Sequence, residues 1–215
     1  MQYIIGKENS IFNQFIAEIR DHVIQKDSMR FRSNMERIGE IFAYEISKKL
    51  IYKAKEVVTP LGIAHVPVLA EQPVIATILR AGLPLHKGLL NYFDQAENAF
   101  ISAYRKHHKD GTFDIQLEYI SSPDLNGKEL IIADPMLASG SSLLMTCRAL
   151  LQKGNPTHTH IVSVIASMEG VEYVRKNLPE NVTFWIGAVD EELTVQSYIV
   201  PGLGDAGDLA FGNKI

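Results

Sequence analysis

The segment formed by residues 130–142 constrains the fold more than any other part of this sequence. Four consecutive apolar residues, from Leu130 to Ala133, predict a buried strand, and helical spacing of apolar residues begins at Leu143. The polar residues between this strand and this helix must then lie at the carboxyl edge of a sheet. Ligands bind at that edge in open α/β sheets, so the segment predicts a strand-turn-helix unit with a binding site at its turn.

The polar part of the segment is suited to a phosphate group. Ser139, Ser141 and Ser142 offer hydroxyls, and Gly140 allows the backbone to approach a ligand closely. The N-H groups at the start of the following helix add a partial positive charge. An ordinary turn in which Ser142 only caps the helix is the alternative, because serine and glycine are common turn residues.

Two arginines follow predicted strands in the same way. Arg80 comes after an apolar run and before Ala81 and Gly82, and Arg105 ends the next predicted strand. A guanidinium can donate two parallel hydrogen bonds to phosphoryl oxygens, so both residues are candidates for holding a diphosphate. A solvated surface charge is the alternative for each of them.

The remaining pattern predicts one α/β domain. From Val74 onward, strand-like runs alternate with helical ones, which indicates a parallel sheet. The apolar/polar alternation of residues 113–119 predicts an antiparallel strand in a hairpin near residues 104–130. Helices are expected at residues 11–19 and 34–52, and residues 59–73, with three prolines and a glycine, predict irregular or edge structure covering the core. Within the single domain, residues 1–73 supply helices and hood elements, 74–190 the core, and 191–215 a tail.

Composition excludes some classes of function. The formal net charge of −4 argues against extensive nucleic-acid binding, which depends on lysine and arginine. No segment approaches the roughly 20 apolar residues that a membrane span needs. Cys147 is the single cysteine and cannot form an internal disulfide, so we expect a cytoplasmic protein in a reducing compartment.

Three motifs together resemble a known family. Asp134-Pro135-Met136-Leu137-Ala138, followed by serine and glycine, resembles the phosphoribosyl diphosphate (PRPP) motif of type I phosphoribosyltransferases. Proline at the second position, where most members carry another acidic residue, resembles the uracil phosphoribosyltransferase branch. Residues 198–208 are similar to that branch's uracil-binding segment, and residues 78–83 to its diphosphate-contacting turn.

The resemblance implies a fold and a reaction. The expected fold is a parallel sheet flanked by helices, with a β-hairpin arm and a hood formed by the N- and C-terminal segments. The expected reaction is uracil plus PRPP to UMP plus diphosphate in pyrimidine salvage, catalysed by a homo-oligomer, a dimer or larger. Mg²⁺ would bind mainly through the diphosphate of PRPP, with no metal-ligand set supplied by the protein.

The resemblance also implies roles for individual residues. Asp134, Arg105 and Asp205 are the expected catalytic residues, and Ile199, Gly204, Asp205 and Ala206 the expected uracil contacts. The expected PRPP contacts are Arg80, Arg105, Asp134, Pro135, Met136, Leu137, Ala138, Ser139, Gly140, Ser141, Ser142 and Asp205. Two positions depart from the family: Lys106 to Lys109 stand where an acidic residue is common, and Leu209 where an arginine is usual.

Other functions remain open at this stage. A regulatory protein on the same fold could bind nucleotide and RNA, although its expected basic face conflicts with the negative net charge. A transferase for another base, such as a purine, is the second alternative. Residues 202–207 also match the G-x-G-x-x-G pattern, but too few residues follow them to build a dinucleotide site.

Overall fold

The computed structural model describes residues 1–107 and 113–214, and the central feature of this part of the chain is one eight-stranded sheet. Two short 3-10 helices span Ile5–Lys7 and Ile24–Lys26. The remaining elements, in chain order, are β1 (Gln2–Ile4), α1 (Ile11–Arg20), α2 (Ser28–Ser47), β2 (Tyr52–Thr59), β3 (Gly62–Leu69), β4 (Val74–Leu79), α3 (Leu83–Leu90), β5 (Glu97–His107), β6 (Phe113–Ser121), β7 (Glu129–Ala133), β8 (Met136–Leu137), α4 (Ser141–Leu151), β9 (His158–Ser167), α5 (Met168–Asn177), β10 (Val182–Asp190), β11 (Glu192–Leu193), β12 (Ile199–Val200) and α6 (Ala206–Phe211).

The large sheet is parallel over most of its width. Its strand order is β1-β10-β9-β7-β4-β5-β6, with β8 paired to β9, and only the β5–β6 pair is antiparallel within the described residues. β4 and β9 are buried along nearly their whole length, as expected for strands covered on both faces. The predicted parallel sheet and the predicted antiparallel strand are both confirmed.

The two faces of the sheet pack against different elements. Ile75 and Ile131 point to the face covered by α1, α2, α3 and the tail. The neighbouring residues Val74, Leu130 and Ile132 point to the opposite face, covered by α4 and α5. This alternation gives a three-layer arrangement, and it leaves the carboxyl ends of β4 and β7 at one uncovered edge.

Several predicted boundaries differ from the structure. The second helix begins at Ser28 instead of residue 34, because Asp27 accepts hydrogen bonds from the backbone N-H groups of Met29 and Arg30 and caps it. It ends at Ser47, and the predicted extension to residue 52 is wrong because Tyr52 begins β2. The apolar pattern continued past the point where the helix stops.

The segment at residues 59–73 does not cover the core. Its first residue ends β2, and Gly62–Leu69 forms β3, which pairs with β2 in a hairpin whose residues are mostly exposed. The sequence pattern also does not predict β1, which pairs with β10 and so places the start of the chain in the main sheet. Residues 108–112, within the hairpin predicted near residues 104–130, lie outside the described residues. Among the residues described, no helix is long and apolar enough to cross a membrane.

One histidine is buried between α3 and the sheet. His86 is 4% exposed, and its ring lies 5.2 Å from that of Phe100. Burial lowers the pKa of His86, and the side chain of Asn98 offsets part of the shift. The folded protein therefore holds a neutral imidazole at a pH where the unfolded chain begins to bind a proton.

We expect His86 to make folding stability depend on pH. Because the folded-state pKa lies below the ordinary 6.5, the unfolded state binds more protons, and the free energy of unfolding falls as pH drops below that value. His86→Leu should reduce this loss by no more than about 1.4 kcal/mol per pH unit. Urea unfolding between pH 7.5 and 5 measures it. His22→Leu, at an exposed position, is the control, and an equal change in both variants would contradict the prediction.

Candidate active site

Three segments that are far apart in sequence meet at the carboxyl edge of the sheet. Arg80 follows β4 and Asp134 follows β7, and these strands are parallel neighbours in which Thr77 pairs with Ala133. The start of α6 lies beside the residues that follow β4, because a Cβ atom on Gly207 would be 3.9 Å from the Cβ of Ala81. The fold thus brings together the three motifs of the sequence.

The chain between β7 and α4 is more ordered than a simple turn. Met136 and Leu137 form β8, and the carbonyl oxygen of Pro135 accepts hydrogen bonds from the N-H groups of Val164 (3.1 Å) and Ile165 (3.0 Å). The predicted strand-turn-helix unit therefore contains an additional two-residue strand before its turn. Leu137 packs in the core, so a ligand contact from this residue would come from its backbone.

The turn that follows β8 rests on α5. The carbonyl oxygen of Ala138 accepts a hydrogen bond of 2.6 Å from the Ser167 hydroxyl, which in turn accepts one from the Gly170 N-H at 2.9 Å. A Cβ on Gly170 would overlap that same carbonyl oxygen. Gly140 has φ +81°, and a Cβ there would lie 2.6 Å from a methyl carbon of Val174. Two glycines thus let the turn approach α5 closely.

The start of α4 is available to an anion. Gly140 is its N-cap residue, and no side chain caps the helix. Ser142 lies inside α4, so the alternative in which it caps this helix is wrong. The Ser139 hydroxyl donates to the Ser141 hydroxyl at 3.4 Å, and the side chains of residues 139, 141 and 142 are half-buried. Backbone N-H groups and hydroxyls therefore face the same turn, as in phosphate sites.

The acidic residue at the strand end is oriented by its own loop. One carboxylate oxygen of Asp134 accepts a hydrogen bond of 3.3 Å from the Met136 N-H, and the side chain is half-buried. The Asp134 backbone N-H donates to the Val162 carbonyl at 3.0 Å, which continues the sheet pairing beyond β7. The carboxylate is thus placed at the edge shared with Arg80.

Arg80 connects the edge of the sheet to the tail. Its Nη2 atom donates to a carboxylate oxygen of Asp208 at 3.1 Å and to the Gly212 carbonyl at 3.0 Å, and the side chain is 40% exposed. The peptide bond between Leu79 and Arg80 is cis. The prediction that Arg105 ends its strand is wrong, because pairing with β6 continues β5 to His107, and Arg105 lies opposite Ile115 of β6. The side chain of Arg105 is not among those that the structure describes.

Asp205 caps the final helix. Its Oδ1 atom accepts hydrogen bonds from the N-H groups of Gly207 (2.8 Å) and Asp208 (3.0 Å), and Lys214 Nζ lies 3.2 Å from Oδ2. Burial alone would raise the pKa of Asp205, but the Asp208 N-H and the Lys214 ammonium outweigh it and lower the pKa. Asp205 is therefore an ionised, oriented carboxylate.

The residues expected to contact a base differ in what they expose. The side chains of Ile199 and Ala206 are buried in the core. Gly204 has φ +91°, and a Cβ there would have no atom within 4 Å. Of these three residues, Gly204 presents its backbone to open space, while Ile199 and Ala206 could contact a ligand only through backbone atoms.

Comparisons with known proteins decide the family. Residues 7–213 match the model of the family described as uracil phosphoribosyltransferase. The chain is 57% identical over 211 residues to the uracil phosphoribosyltransferase of Porphyromonas gingivalis, covering 98% of each chain, and 36% identical to that of Pyrococcus furiosus, covering 94% and 86%. The chain belongs to the uracil phosphoribosyltransferase family. Its fold resembles that of the AQ2163 protein from Aquifex aeolicus, with a TM-score of 0.87, 29% identity, and coverage of 99% and 98%.

Membership of the uracil phosphoribosyltransferase family draws attention to a residue missed in the sequence. Leu209, where an arginine is usual, packs against the apolar core. Lys214 instead brings a positive charge to the tail, 3.2 Å from Asp205 and 3.9 Å from Asp208. It is the only lysine or arginine after Lys176, which is the signal that could have identified it. The described residues contain no group of three or more His, Cys, Asp or Glu side chains that could hold a metal ion.

The contact between α5 and the turn predicts a sensitive position. Gly170→Ala should displace the Ala138 carbonyl and destabilise the fold by about 1–3 kcal/mol, the usual cost of overpacking. For a chain of this size, each kcal/mol lowers the melting temperature by about 2–4 °C. Thermal unfolding measures this loss. Glu172→Ala, at an exposed position on the same helix, should change the melting temperature little. Equal melting temperatures for the two variants would contradict the prediction.

Proposed function

We propose that this protein transfers the phosphoribosyl group of PRPP to N1 of uracil, which yields UMP and diphosphate for pyrimidine salvage. The observation that carries the proposal is the meeting of the residue 138–142 turn, Arg80 and the residue 199–208 tail at one edge of the sheet. The family to which the chain belongs supports the assignment of the base. The negative net charge gives no support to an RNA-binding regulator on the same fold.

The turn at the start of α4 is the proposed 5′-phosphate site. Its N-H groups and the hydroxyls of Ser139, Ser141 and Ser142 can donate hydrogen bonds to a dianion. Asp134 follows the adjacent strand end, where it could accept hydrogen bonds from the ribose hydroxyls. Its negative charge would stabilise positive charge that develops at the anomeric carbon as the leaving group departs.

The proposed diphosphate site uses Arg80 and Arg105. A guanidinium donates two hydrogen bonds in a geometry that matches phosphoryl oxygens. Arg80 directly follows β4, and Arg105 lies near the carboxyl end of the neighbouring strand β5. The diphosphate of PRPP would supply most of the ligands of a bound Mg²⁺, and the protein would supply few of its own. Bound there, Mg²⁺ would neutralise charge on the leaving group.

The tail is the proposed base site. Gly204 presents backbone groups to open space, and Asp205 and Ala206 continue the segment into α6. Uracil offers an N3-H donor next to the O4 acceptor, whereas cytosine reverses both groups. A rigid backbone that pairs with uracil would therefore oppose donor to donor and acceptor to acceptor with cytosine.

The exposed hairpin supports a homo-oligomer. The β2–β3 hairpin carries the apolar side chains of Val58, Leu61 and Ile63, which are 84%, 100% and 62% exposed. Contiguous exposed apolar side chains are typical of interaction surfaces. A second copy of this chain is the proposed partner, and the domain is proposed to act as a single unit in the cytoplasm.

An assay of several bases with PRPP tests the function directly. We expect turnover with uracil and 5-fluorouracil, and a kcat/KM for cytosine lower by about 10⁴, the discrimination available to a site built on polar matching. Gly204→Ala should raise the KM for uracil, because a methyl group enters the open space at a positive φ. Gly127→Ala is the matched control, since Gly127 also has a positive φ (+70°) and open space but lies at the opposite edge. A preference for hypoxanthine would show that the base is assigned wrongly.

Replacing either arginine should weaken the reaction with PRPP. A hydrogen bond to a charged group is worth about 1.5–3 kcal/mol, so Arg80→Ala or Arg105→Ala should lower kcat/KM for PRPP by roughly ten- to hundredfold or more. Lys128→Ala, at the amino edge, is the control. Asp208→Asn removes the ion pair of Arg80 but keeps the guanidinium, so it should retain more activity than Arg80→Ala. Equal losses in all four variants would exclude the diphosphate role.

A further inference from the structure

A partly buried ion pair holds both backbone groups of Gly202. Nη1 and Nη2 of Arg20 lie 2.8 Å from Oδ2 and Oδ1 of Asp190. Nη1 of Arg20 also donates to the Gly202 carbonyl at 3.0 Å, and the Gly202 N-H donates to Oδ2 of Asp190 at 3.0 Å. These four hydrogen bonds form a closed ring, here called the Gly202 clamp, of Arg20, Asp190 and Gly202.

The clamp joins three separate parts of the fold. Arg20 is the last residue of α1 and Asp190 the last residue of β10, and their side chains are 22% and 7% exposed. Gly202 has φ +57°, and a Cβ there would overlap the Ile199 carbonyl oxygen. The turn is therefore both tight and held at its N-H and its carbonyl. Burying charge is costly unless the geometry of the pair is good, and the fork of an arginine satisfies that condition here.

The far end of the same segment is fixed as well. Asp205 caps α6, and Arg32 Nη1 donates to the Ala210 carbonyl at 2.6 Å, which ties α6 to α2. Between the two ends, Leu203 buries its side chain, and Gly204 faces open space. The backbone of Gly204 is thus displayed at a defined position by supports on both sides.

We propose that Arg20 and Asp190 are positioning residues for the base, acting through Gly202 on the segment that presents Gly204. This inference rests on the proposed function, because it assigns the base to that segment. Neither residue would contact the substrates. Displacing the turn at Gly202 should weaken the fit of the base. The turn at the start of α4, which is the proposed phosphate site, should keep its position.

Arg20→Lys is the informative variant. It keeps the positive charge beside Asp190, but an ammonium cannot hold the carboxylate in two places and reach the Gly202 carbonyl with the same planar fork. The matched control is Arg30→Lys, because Arg30 makes the same two-bond contact with Glu18 (2.9 and 2.8 Å) between α2 and α1, away from the tail. Steady-state kinetics in uracil and calorimetric titration with PRPP are measured on both variants.

The expected results separate positioning from loss of stability. Arg20→Lys should raise the KM for uracil about tenfold or more, the order of effect expected from a misplaced binding group, with the Kd for PRPP within about twofold of the parent. Arg30→Lys should leave both constants unchanged even where its melting temperature falls equally. An equal rise in uracil KM in the two variants, or a parallel rise in the Kd for PRPP, would overturn the proposal.

Hydrogen exchange in the unaltered protein provides a measurement that needs no variant. The Gly202 amide should exchange as slowly as the buried amides of β10, because its acceptor is a buried carboxylate. Exchange as fast as at Val195, whose side chain is fully exposed, would overturn the clamp. This test remains available if Arg20→Lys does not fold. Failure of the unaltered protein to use uracil with PRPP would instead contradict the proposed function and leave the exchange result standing.

Discussion

The parallel pairing of β4 with β7, and of β7 with β9, is the constraint on which the candidate site depends. In a parallel register, the carboxyl ends of neighbouring strands meet at one edge, so residues that follow different strands become neighbours. Arg80 and Asp134 are brought together in this way. An antiparallel pairing would have sent one of them to the opposite edge. The buried apolar residues of these strands therefore determine the position of the candidate site by forming the parallel sheet, although their side chains take no part in the chemistry.

The edge alone would not hold an anion site, because a turn at the surface can adopt many conformations. Here the turn after β8 is supported from beneath by α5. Gly170 allows the Ala138 carbonyl to approach α5 closely, and Ser167 satisfies that carbonyl with a hydrogen bond. The supporting helix α5 begins directly after β9, so strands of the same sheet precede both the turn and the helix that supports it. Small residues at Gly140 and Gly170 are in this sense part of the site without presenting any functional group.

The long buried strands could be predicted from the sequence because their apolar runs are local signals, and the candidate site follows from the polar residues at the ends of those strands. Continuous apolar runs between glycine, proline and polar residues identify β4, β7, β9 and β10, and the polar residues at their ends identify the edge. The two-residue strand β8 and the three-residue strand β1 carry no such signal, because a strand of that length exists only through its partner. The sequence does not predict the hairpin at Tyr52–Leu69, because its prolines and exposed residues are also typical of a loop. The Arg20–Asp190 pair spans 170 residues, and nothing in the local pattern around either residue indicates the other.

A chain of net charge −4 needs local positive charge to bind a strongly anionic substrate. Among the described side chains, Arg80 and Lys214 bring positive charge to the carboxyl edge of the sheet, and both are paired: Nη2 of Arg80 bonds to Asp208, and Lys214 lies near Asp205 and Asp208. A diphosphate would compete with Asp208 for the same guanidinium, and the whole diphosphate group carries more negative charge than a single carboxylate. The paired arrangement keeps both arginine and tail in place without a large field of one sign. Because Asp208 lies on α6 and Gly204 directly precedes the N-cap residue of that helix, an exchange of partners at Arg80 would act on the segment that contains Gly204. One short helix would then couple the proposed diphosphate site to the proposed base site.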